Sequence, residues 1–436
     1  MKYLIKLTLT FTFCMMISDV LAQSQIVTLE QLWNDAEKNS QLVKTKKTEY
    51  QVAEQKVESS KSGYLPDIQL DVSVGYLSDG ILSDRNFKNT SRVENPHFMN
   101  DFALKANQLI YGGGTVKNAV LLSKTAQEMA SLSYEKQLQD VRMMVAGYYL
   151  DLCKLYNQET VLDDNLKLCE IVIDNMKVME REGTALSNDI LRYELQKEHI
   201  LLAKRKIKDA LDIVCHKIAT IVHWEGDARF IPDTTLFSNY FQMMDSESWR
   251  QAALKGNINL KMADTDLKMK EFEVKISKGD MLPKVALFAE YHLDGPITTE
   301  VPVINKNFNY MFVGVGVQYS LSSLYKNKRE VKVAKSNREK AADIKVLTEE
   351  EVNDNVYASY IDYLTSKAEV ETQQKSVLLA DKNYSVISSR YNNGLVTITD
   401  MLDAANVKLD AELELVNSNI NLLYNYFKLK YISSSL

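Results

Sequence analysis

The sequence predicts a mainly α-helical fold with membrane β-strands, in which long-helix hairpins and pairs of strands occur twice along the chain. Three observations predict it. The two halves of the sequence resemble each other, which indicates a duplicated structural unit. Glycine and proline are scarce in two long stretches, which predicts long helices. Four further segments alternate apolar and polar side chains, which predicts β-strands.

The first residues are typical of a secretory signal peptide. Lys2 and Lys6 precede an apolar stretch. The small residues Val20 and Ala22 follow it at the spacing of a cleavage site. We expect cleavage near Ala22, so that residues 1–22 form the signal peptide; an uncleaved membrane anchor is the alternative. Beyond it the sequence has no apolar run of about 18 residues, the length of a membrane-spanning helix.

The first structural repeat spans residues 23–242 and the second spans 243–436. Three pairs of segments match between them: 39–76 with 257–291, 107–117 with 317–328, and 183–191 with 394–402. The last pair, GTALSNDIL and GLVTITDML, places a glycine, an aspartate and a leucine at the same spacing. The match along the whole order of segments indicates that both repeats fold alike.

The predicted elements follow this duplication. The first repeat comprises a helix over 29–62, strands over 67–77 and 101–111, helices over 115–181 and 184–222, and an equatorial segment over 223–242. The second comprises a helix over 247–280, strands over 284–293 and 309–320, and helices over 325–391 and 395–433. Gly183 and Gly394 separate the paired helices of the two repeats, because glycine adopts the left-handed conformation that a tight helical hairpin needs.

The helix over 115–181 carries a coiled-coil seam. Its apolar residues recur at alternating steps of three and four: Leu138, Val141, Val145, Tyr148, Leu152, Leu155, Leu162, Leu166, Cys169, Ile173 and Met176. This helix would run about 100 Å at roughly 1.5 Å per residue. The shorter helices of the same repeat add up to nearly that length, so one unbroken helix could pack against two short ones stacked end to end.

The alternating segments are predicted to cross an outer membrane as strands. Their apolar side chains would face lipid: Ile68, Leu70, Val72, Val74, Tyr76, Val285, Leu287, Val313, Val315 and Val317. A hairpin resting on a soluble core is the alternative for any one strand. The polar loops 77–101 and 294–309 would then lie outside the cell.

Four strands cannot close a membrane sheet by themselves. Lipid leaves an open sheet edge without hydrogen-bond partners, and the smallest outer-membrane barrels need about eight strands. The sequence therefore predicts a ring of several copies with head-to-tail contacts.

The chain resembles the TolC family of outer-membrane efflux proteins over nearly its whole mature length. The resemblance lies in the signal peptide, the duplicated order of helices and strands, the junctions SGYLPDIQLDVSVGY and QLIYGGG, and the two motifs that begin at Gly183 and Gly394. It implies a homotrimer located in the outer membrane and extending into the periplasm. The implied fold is a trimeric periplasmic α-barrel plus a 12-stranded outer-membrane β-barrel, to which each chain gives four strands.

The resemblance also implies partners. The trimer would be the passive duct of a tripartite efflux or type I secretion system, in contact with outer-membrane lipid. Its helical tip would dock to a periplasmic adaptor protein and to an inner-membrane transporter of the RND, ABC or MFS type. Gly183, Leu186, Gly394 and Leu395 would form the docking tip. No cofactor is implied.

Two departures from the family matter. The second strand-to-helix junction, SLSSLYKNK, lacks the glycines of the first. An arginine of the family's best-known member, two residues after the second tip glycine, ties the closed entrance together; Val396 stands there in this sequence. The sequence therefore does not identify the contacts that hold the entrance closed.

The sequence gives little reason to expect an enzyme, a metal site or a nucleic-acid partner. The formal net charge of -6 disfavours nucleic acid. His97, His199, His216, His223 and His292 form no recognised metal motif. The glycines at 112–114 lack the lysine of a phosphate loop and are interpreted as a strand-to-helix junction. Cys153, Cys169 and Cys215 are interpreted as packing residues.

The candidate gate lies at the hairpin tips: Asp400, Asp403, Asp189, Arg192 and Tyr391. The resemblance implies that Asp400 and Asp403 line the narrowest point of the tunnel as carboxylate rings that trap cations. Asp400 could equally cap a helix with Thr397, a role that its equivalent Asp189 would share. Asp403 corresponds to Arg192 in the first repeat, so shared capping does not explain it and pore lining is favoured.

Two further hypotheses concern the tip. Tyr391 matches a family tyrosine that helps to hold the entrance closed. In the second hypothesis, Arg192 replaces the lost arginine by bonding to Asp403 across neighbouring hairpins. The rival class for the whole chain is an exported coiled-coil scaffold or adhesin without a membrane barrel. The sequence leaves the exported substrate open, whether drug, metal or protein.

Overall fold

The computed structural model describes residues 25–224, 229–233 and 243–436. The predicted signal peptide and most of the equatorial segment therefore lie outside the described residues. The chain divides into two compact units, each of which draws on both sequence repeats. The first contains the residues up to Lys47 with Ser133–Leu260 and Glu349–Leu436, and the second contains Thr48–Leu132 and Lys261–Thr348.

Long helices dominate the described residues. They are α1 Leu29–Asn39, α2 Gln41–Lys61, α3 Thr115–Arg181, α4 Ser187–Val222, α5 Ser246–Gly256, α6 Ile258–Gly279, α7 Ser323–Asn392 and α8 Ile398–Ile432. The strands are β1 Gln25–Val27, β2 Asp67–Tyr76, β3 Gly80–Leu82, β4 Ser91–Val93, β5 Phe98–Tyr111, β6 Phe230–Pro232, β7 Lys284–Gly295 and β8 Phe308–Gln318. No described helix combines the length and the apolar character needed to cross a membrane.

Two helices are broken where the sequence predicts continuous ones. Ser40 separates α1 from α2, and Asn257 separates α5 from α6, because each adopts an extended ψ, of 129° and 122° respectively. The Asn257 side chain accepts a hydrogen bond from the amide of Leu260 at 3.2 Å and so caps the helix that follows. A helical periodicity continues across such a break, which is why the sequence pattern does not show it.

The first unit has a hydrophobic core in which α1, α3, α4 and α8 meet. Its largest fully buried side chains include Leu32, Tyr149, Leu152, Ile218 and Leu429. In the predicted coiled-coil seam, seven residues are buried: Val141, Val145, Leu152, Leu162, Cys169, Ile173 and Met176. The seam pattern is thus confirmed by burial.

The three described cysteines are free and buried, as their interpretation as packing residues predicts. Burial raises the pKa of the Cys153 thiol to about 12 and that of the Cys169 thiol to about 11. Both thiols therefore stay protonated at neutral pH and behave as small apolar groups.

The second unit is built around a four-stranded antiparallel sheet with the order β2-β5-β7-β8. The two predicted strand pairs are present, and β5 joins them by pairing with β7. Strands β2 and β8 are consequently the edges of the sheet. A small hairpin of β3 and β4 lies in the loop between β2 and β5, which the sequence pattern does not predict.

The two strand-to-helix junctions differ as their sequences predict. Gly113 and Gly114 have φ values of +64° and +77°, and a Cβ on Gly113 would overlap the backbone of Gly279. The glycine run is therefore a tight junction where two backbones meet. The second junction turns through Ser320 and Ser322, whose hydroxyl groups lie 3.0 Å apart, without a residue of positive φ.

Candidate functional site

The two tips that the sequence singles out are built alike. Gly183 and Gly394 end α3 and α7 with φ values of +75° and +70°. At the second tip, the Leu395 amide donates to the carbonyl of Arg390 at 2.9 Å and the Gly394 amide donates to Tyr391 at 2.8 Å. This is the Schellman pattern that satisfies the last carbonyls of a helix. The first tip repeats it with Thr184 and Gly183 as donors.

The helix that follows the second tip starts with a capping box. The amide of Asp400 donates to Thr397 Oγ1 at 3.4 Å, while the amide of Thr397 donates to Asp400 Oδ2 at 2.8 Å. The Thr397 hydroxyl adds a bond of 2.7 Å to the same carboxylate. These hydrogen bonds, first of all the one from the hydroxyl, lower the pKa of Asp400. The capping interpretation of Asp400 is thus confirmed.

The first tip has only half of this arrangement. The amide of Leu186 donates to Asp189 Oδ2 at 3.4 Å, but leucine has no hydroxyl to return the bond. The equivalence of Asp189 and Asp400 therefore holds for the carboxylate alone.

A buried cluster lies immediately behind the tips in the first unit. It contains Leu162, Cys169, Ile173, Met176, Ile190, Tyr193, Ile200, Tyr384, Tyr391, Ile398, Met401 and Ala404. Tyr391 is buried within it, and burial, with a smaller effect of the Asp189 charge, raises the pKa of its hydroxyl. Val396 packs against the same cluster. The residue that stands in place of the arginine of the family's best-known member thus makes apolar contacts.

Asp403 is exposed, and the described residues offer it no hydrogen bond or ion pair. Arg192 Nη1 instead donates to Thr399 Oγ1 at 2.7 Å, one helical turn before Asp403. Within one chain the two residues that the sequence pairs are therefore near each other but not bonded. The bond between neighbouring hairpins stays a prediction.

Two of the residues predicted to dock an adaptor are exposed at the tips. Leu186 and Leu395 have 70% and 73% of their surface exposed. Large apolar side chains exposed to this degree are typical of contact surfaces when they are grouped. Leu191 and Leu195 extend the exposed apolar surface along α4.

All ten side chains predicted to face lipid lie on one face of the four-stranded sheet. Antiparallel partners share a face, and the register pairs Val72 with Phe102, Phe102 with Leu293, and Leu287 with Val315. Val72 and Val315 have 61% and 64% of their surface exposed. The opposite face carries polar groups, among them a salt bridge of 3.0 Å between Lys105 and Asp71.

One group of side chains that could hold a metal ion was not indicated by the sequence. Asp101, His292 and Asp294 lie on the polar face, and their ligand atoms all lie within 4.8 Å of one another. Asp101 is the register partner of Asp294 across β5 and β7. Only the short spacing of His292 and Asp294 could have indicated it, because Asp101 comes from the other repeat.

Comparison with known proteins adds independent information. Residues 249–431 match the family model described as outer membrane efflux protein. No curated protein matches the chain by sequence.

Solved structures match nearly the whole chain. The channel protein CusC shares 12% identity at a TM-score of 0.80, with 95% of each chain covered. The outer membrane protein VceC from Vibrio cholerae shares 13% at 0.76, over 93% of this chain and 95% of its own. The open state of the Neisseria gonorrhoeae outer membrane channel MtrE shares 13% at 0.73, over 94% and 89%. At these identities the likeness shows the fold.

Proposed function

We propose that the chain is an outer membrane efflux protein, a proposal that the match of residues 249–431 to the model of that family supports, and that it is the passive exit duct of a tripartite efflux or type I secretion system. It would reside in the outer membrane and extend into the periplasm. A duct of this kind is not an enzyme. The energy for export would come from an inner-membrane transporter.

The observation that carries the proposal is the four-stranded sheet with two free edges. Edge strands β2 and β8 offer unpaired backbone groups, and the apolar face of the sheet is exposed. Lipid does not tolerate free edges, so β2 of one copy would pair with β8 of the next. Three copies would give twelve strands, a size at which membrane barrels close.

The periplasmic entrance would be formed by the helical tips. Three copies of Asp403 would stand around the axis, with Asp400 beside them in its capping box. Asp403 suits a cation trap because it is exposed and bonds to no described residue, so its full charge faces solvent. The Asp400 carboxylate accepts hydrogen bonds from the amide and the hydroxyl of Thr397, so it contributes less to the ring.

The adaptor would dock at the same helical tips. Leu186 and Leu395 would insert between the helices of the adaptor, while Gly183 and Gly394 fix the turns that present them. A leucine exposed at a rigid turn loses little entropy on binding. The partners of the trimer would thus be an adaptor and an RND, ABC or MFS-type transporter.

Conductance in planar bilayers tests the duct. Detergent-extracted protein should form channels, and Asp403→Asn should raise their conductance. The same variant should weaken block by divalent cations about tenfold, since each carboxylate attracts a cation by about 1 kcal/mol in water. Asp400 is left unchanged, because replacing it would also break the helix cap.

Asp174→Asn is the matched control, because it removes one exposed carboxylate from α3. We expect it to leave the divalent block unchanged. Equal block in Asp403→Asn and the parent would exclude the carboxylate trap. A folded protein that forms no channel would exclude the duct itself.

A further inference from the structure

The polar face of the sheet contains two acceptor atoms that aim at the same space. His292 Nε2 lies 3.0 Å from Glu290 Oε2, so Nε2 carries the ring proton and donates it to Glu290. In the neutral ring the other nitrogen, Nδ1, presents a lone pair, and it lies 4.0 Å from Asp294 Oδ1. That oxygen is buried and has no hydrogen-bond partner. A lone pair facing a bare carboxylate oxygen is unfavourable unless a cation lies between them.

Asp101 supplies a third donor atom from the neighbouring strand. It faces Asp294 across the β5 and β7 register, and the three ligand atoms lie within 4.8 Å of one another. Ligands held about 2.1 Å from a zinc ion stand roughly 3.4 Å apart in a tetrahedral site. The 4.0 Å between His292 Nδ1 and Asp294 Oδ1 exceeds this spacing, so binding of an ion would draw these side chains closer together.

The surrounding residues hold the ligands as residues around metal sites do. Glu290 fixes the tautomer and the ring orientation of His292. Tyr310 donates its hydroxyl to Asp294 Oδ2 at 3.2 Å, which leaves Oδ1 as the free atom. The His292 ring is also stacked on Tyr310 with its centroid 5.1 Å away.

We propose that Asp101, His292 and Asp294 bind one divalent transition-metal ion of the zinc class. Imidazole nitrogen selects such ions over magnesium and calcium, which prefer oxygen ligands alone. Three protein ligands leave a further position for water. Because the ligands come from both repeats, the ion would also tie β5 to β7. The site depends only on the sheet, so the channel experiment and this one can fail separately.

Zinc binding to the purified full-length protein tests the site. Equilibrium dialysis against Zn²⁺ alone, followed by elemental analysis, should give one ion per chain. The measurement is made in an Asp403→Asn background, so that the proposed carboxylate ring at the tip does not contribute. His292→Gln and Asp294→Asn should each weaken binding about 100-fold, and Glu290→Gln about tenfold, the range seen for residues around metal ligands.

His97→Gln is the matched control, since it removes a histidine from the loop before β5 and should leave zinc binding unchanged. Circular dichroism of each variant checks folding. Asp294→Asn keeps the size of the side chain, so it still tests the site if His292→Gln does not fold. Binding that is equal in His292→Gln, Asp294→Asn and the parent would overturn the proposal. So would a parent protein that binds no zinc.

Discussion

At the scale of single residues, the sign of φ decides at which glycines an added side chain would strain the backbone. Gly394 has a φ of +70°, and a Cβ there would meet nothing within 4 Å. The cost of a side chain at this position is therefore one of backbone conformation and not of space. Gly147 lies in the interior of α3, also with open space around it, and has no positive φ.

These two glycines should respond to alanine with opposite signs. Gly394→Ala should destabilise the fold by about 1 kcal/mol, because an L-residue is strained at positive φ. Gly147→Ala should stabilise it by a similar amount, about 1 kcal/mol, because alanine is the better helix former. Thermal melting followed by far-ultraviolet circular dichroism measures both, and shifts in the same direction would contradict the assignment of the turn.

At the scale of elements, the helices that follow the tips begin differently. Helix α8 has a full capping box from Thr397 and Asp400, whereas α4 begins after Leu186 with a single bond to Asp189. The first turn of α8 should therefore open less often than that of α4.

Removing the cap should loosen the start of α8 alone. Thr397→Ala loses the hydroxyl that accepts from the Asp400 amide, at a cost of about 1 kcal/mol. Hydrogen exchange of the peptide that begins at Ile398 should accelerate. Thr372→Ala, which removes a hydroxyl bonded to Ala368 within α7, is the control and should leave that peptide unchanged.

The same peptide reports the charge on Asp400. Its hydrogen bonds with Thr397 lower the pKa from the ordinary 3.8. The stabilisation is therefore fully present above pH 3.8 and is lost as the pH falls through the lower, folded value. Exchange corrected for its intrinsic pH dependence should rise in this acidic range and should show no such rise in Asp400→Asn.

At the scale of the whole molecule, the sheet distinguishes a membrane protein from an exported scaffold. Neighbouring residues of β2 alternate between an exposed apolar face and a polar one. A soluble scaffold would leave both faces in water, so a charge would be tolerated on either. A membrane barrel would place the apolar face against lipid, where a charge is costly.

Lysine at two adjacent positions should therefore separate the two classes. Val72→Lys places a charge on the apolar face and should cost about 2–4 kcal/mol near the middle of the bilayer. It should reduce the amount of heat-modifiable trimer in outer-membrane fractions. Ser73→Lys, on the opposite face, is the control and should assemble normally. Normal assembly of both variants would favour the scaffold.

Much of this fold could be predicted from the sequence because its patterns are long and local. The coiled-coil seam and the alternation of the four strands depend only on residues near each other in the chain, and burial and register agree with both. The tip glycines and the Thr397 cap were predictable for the same reason, since turns and caps are fixed by a few consecutive residues.

Other features depend on residues far apart in sequence and were decided by the tertiary structure. The pairing of β5 with β7 joins the two repeats and brings Asp101 to His292 and Asp294. The burial of Tyr391 in the tip cluster, and the packing of Val396 against that cluster, likewise need partners from other helices. The breaks at Ser40 and Asn257 change two dihedral angles without changing the helical period. The sequence by itself thus determined the repeats, the faces and the turns, whereas only the tertiary structure decided which faces meet, because side-chain proximity between distant segments leaves no local pattern.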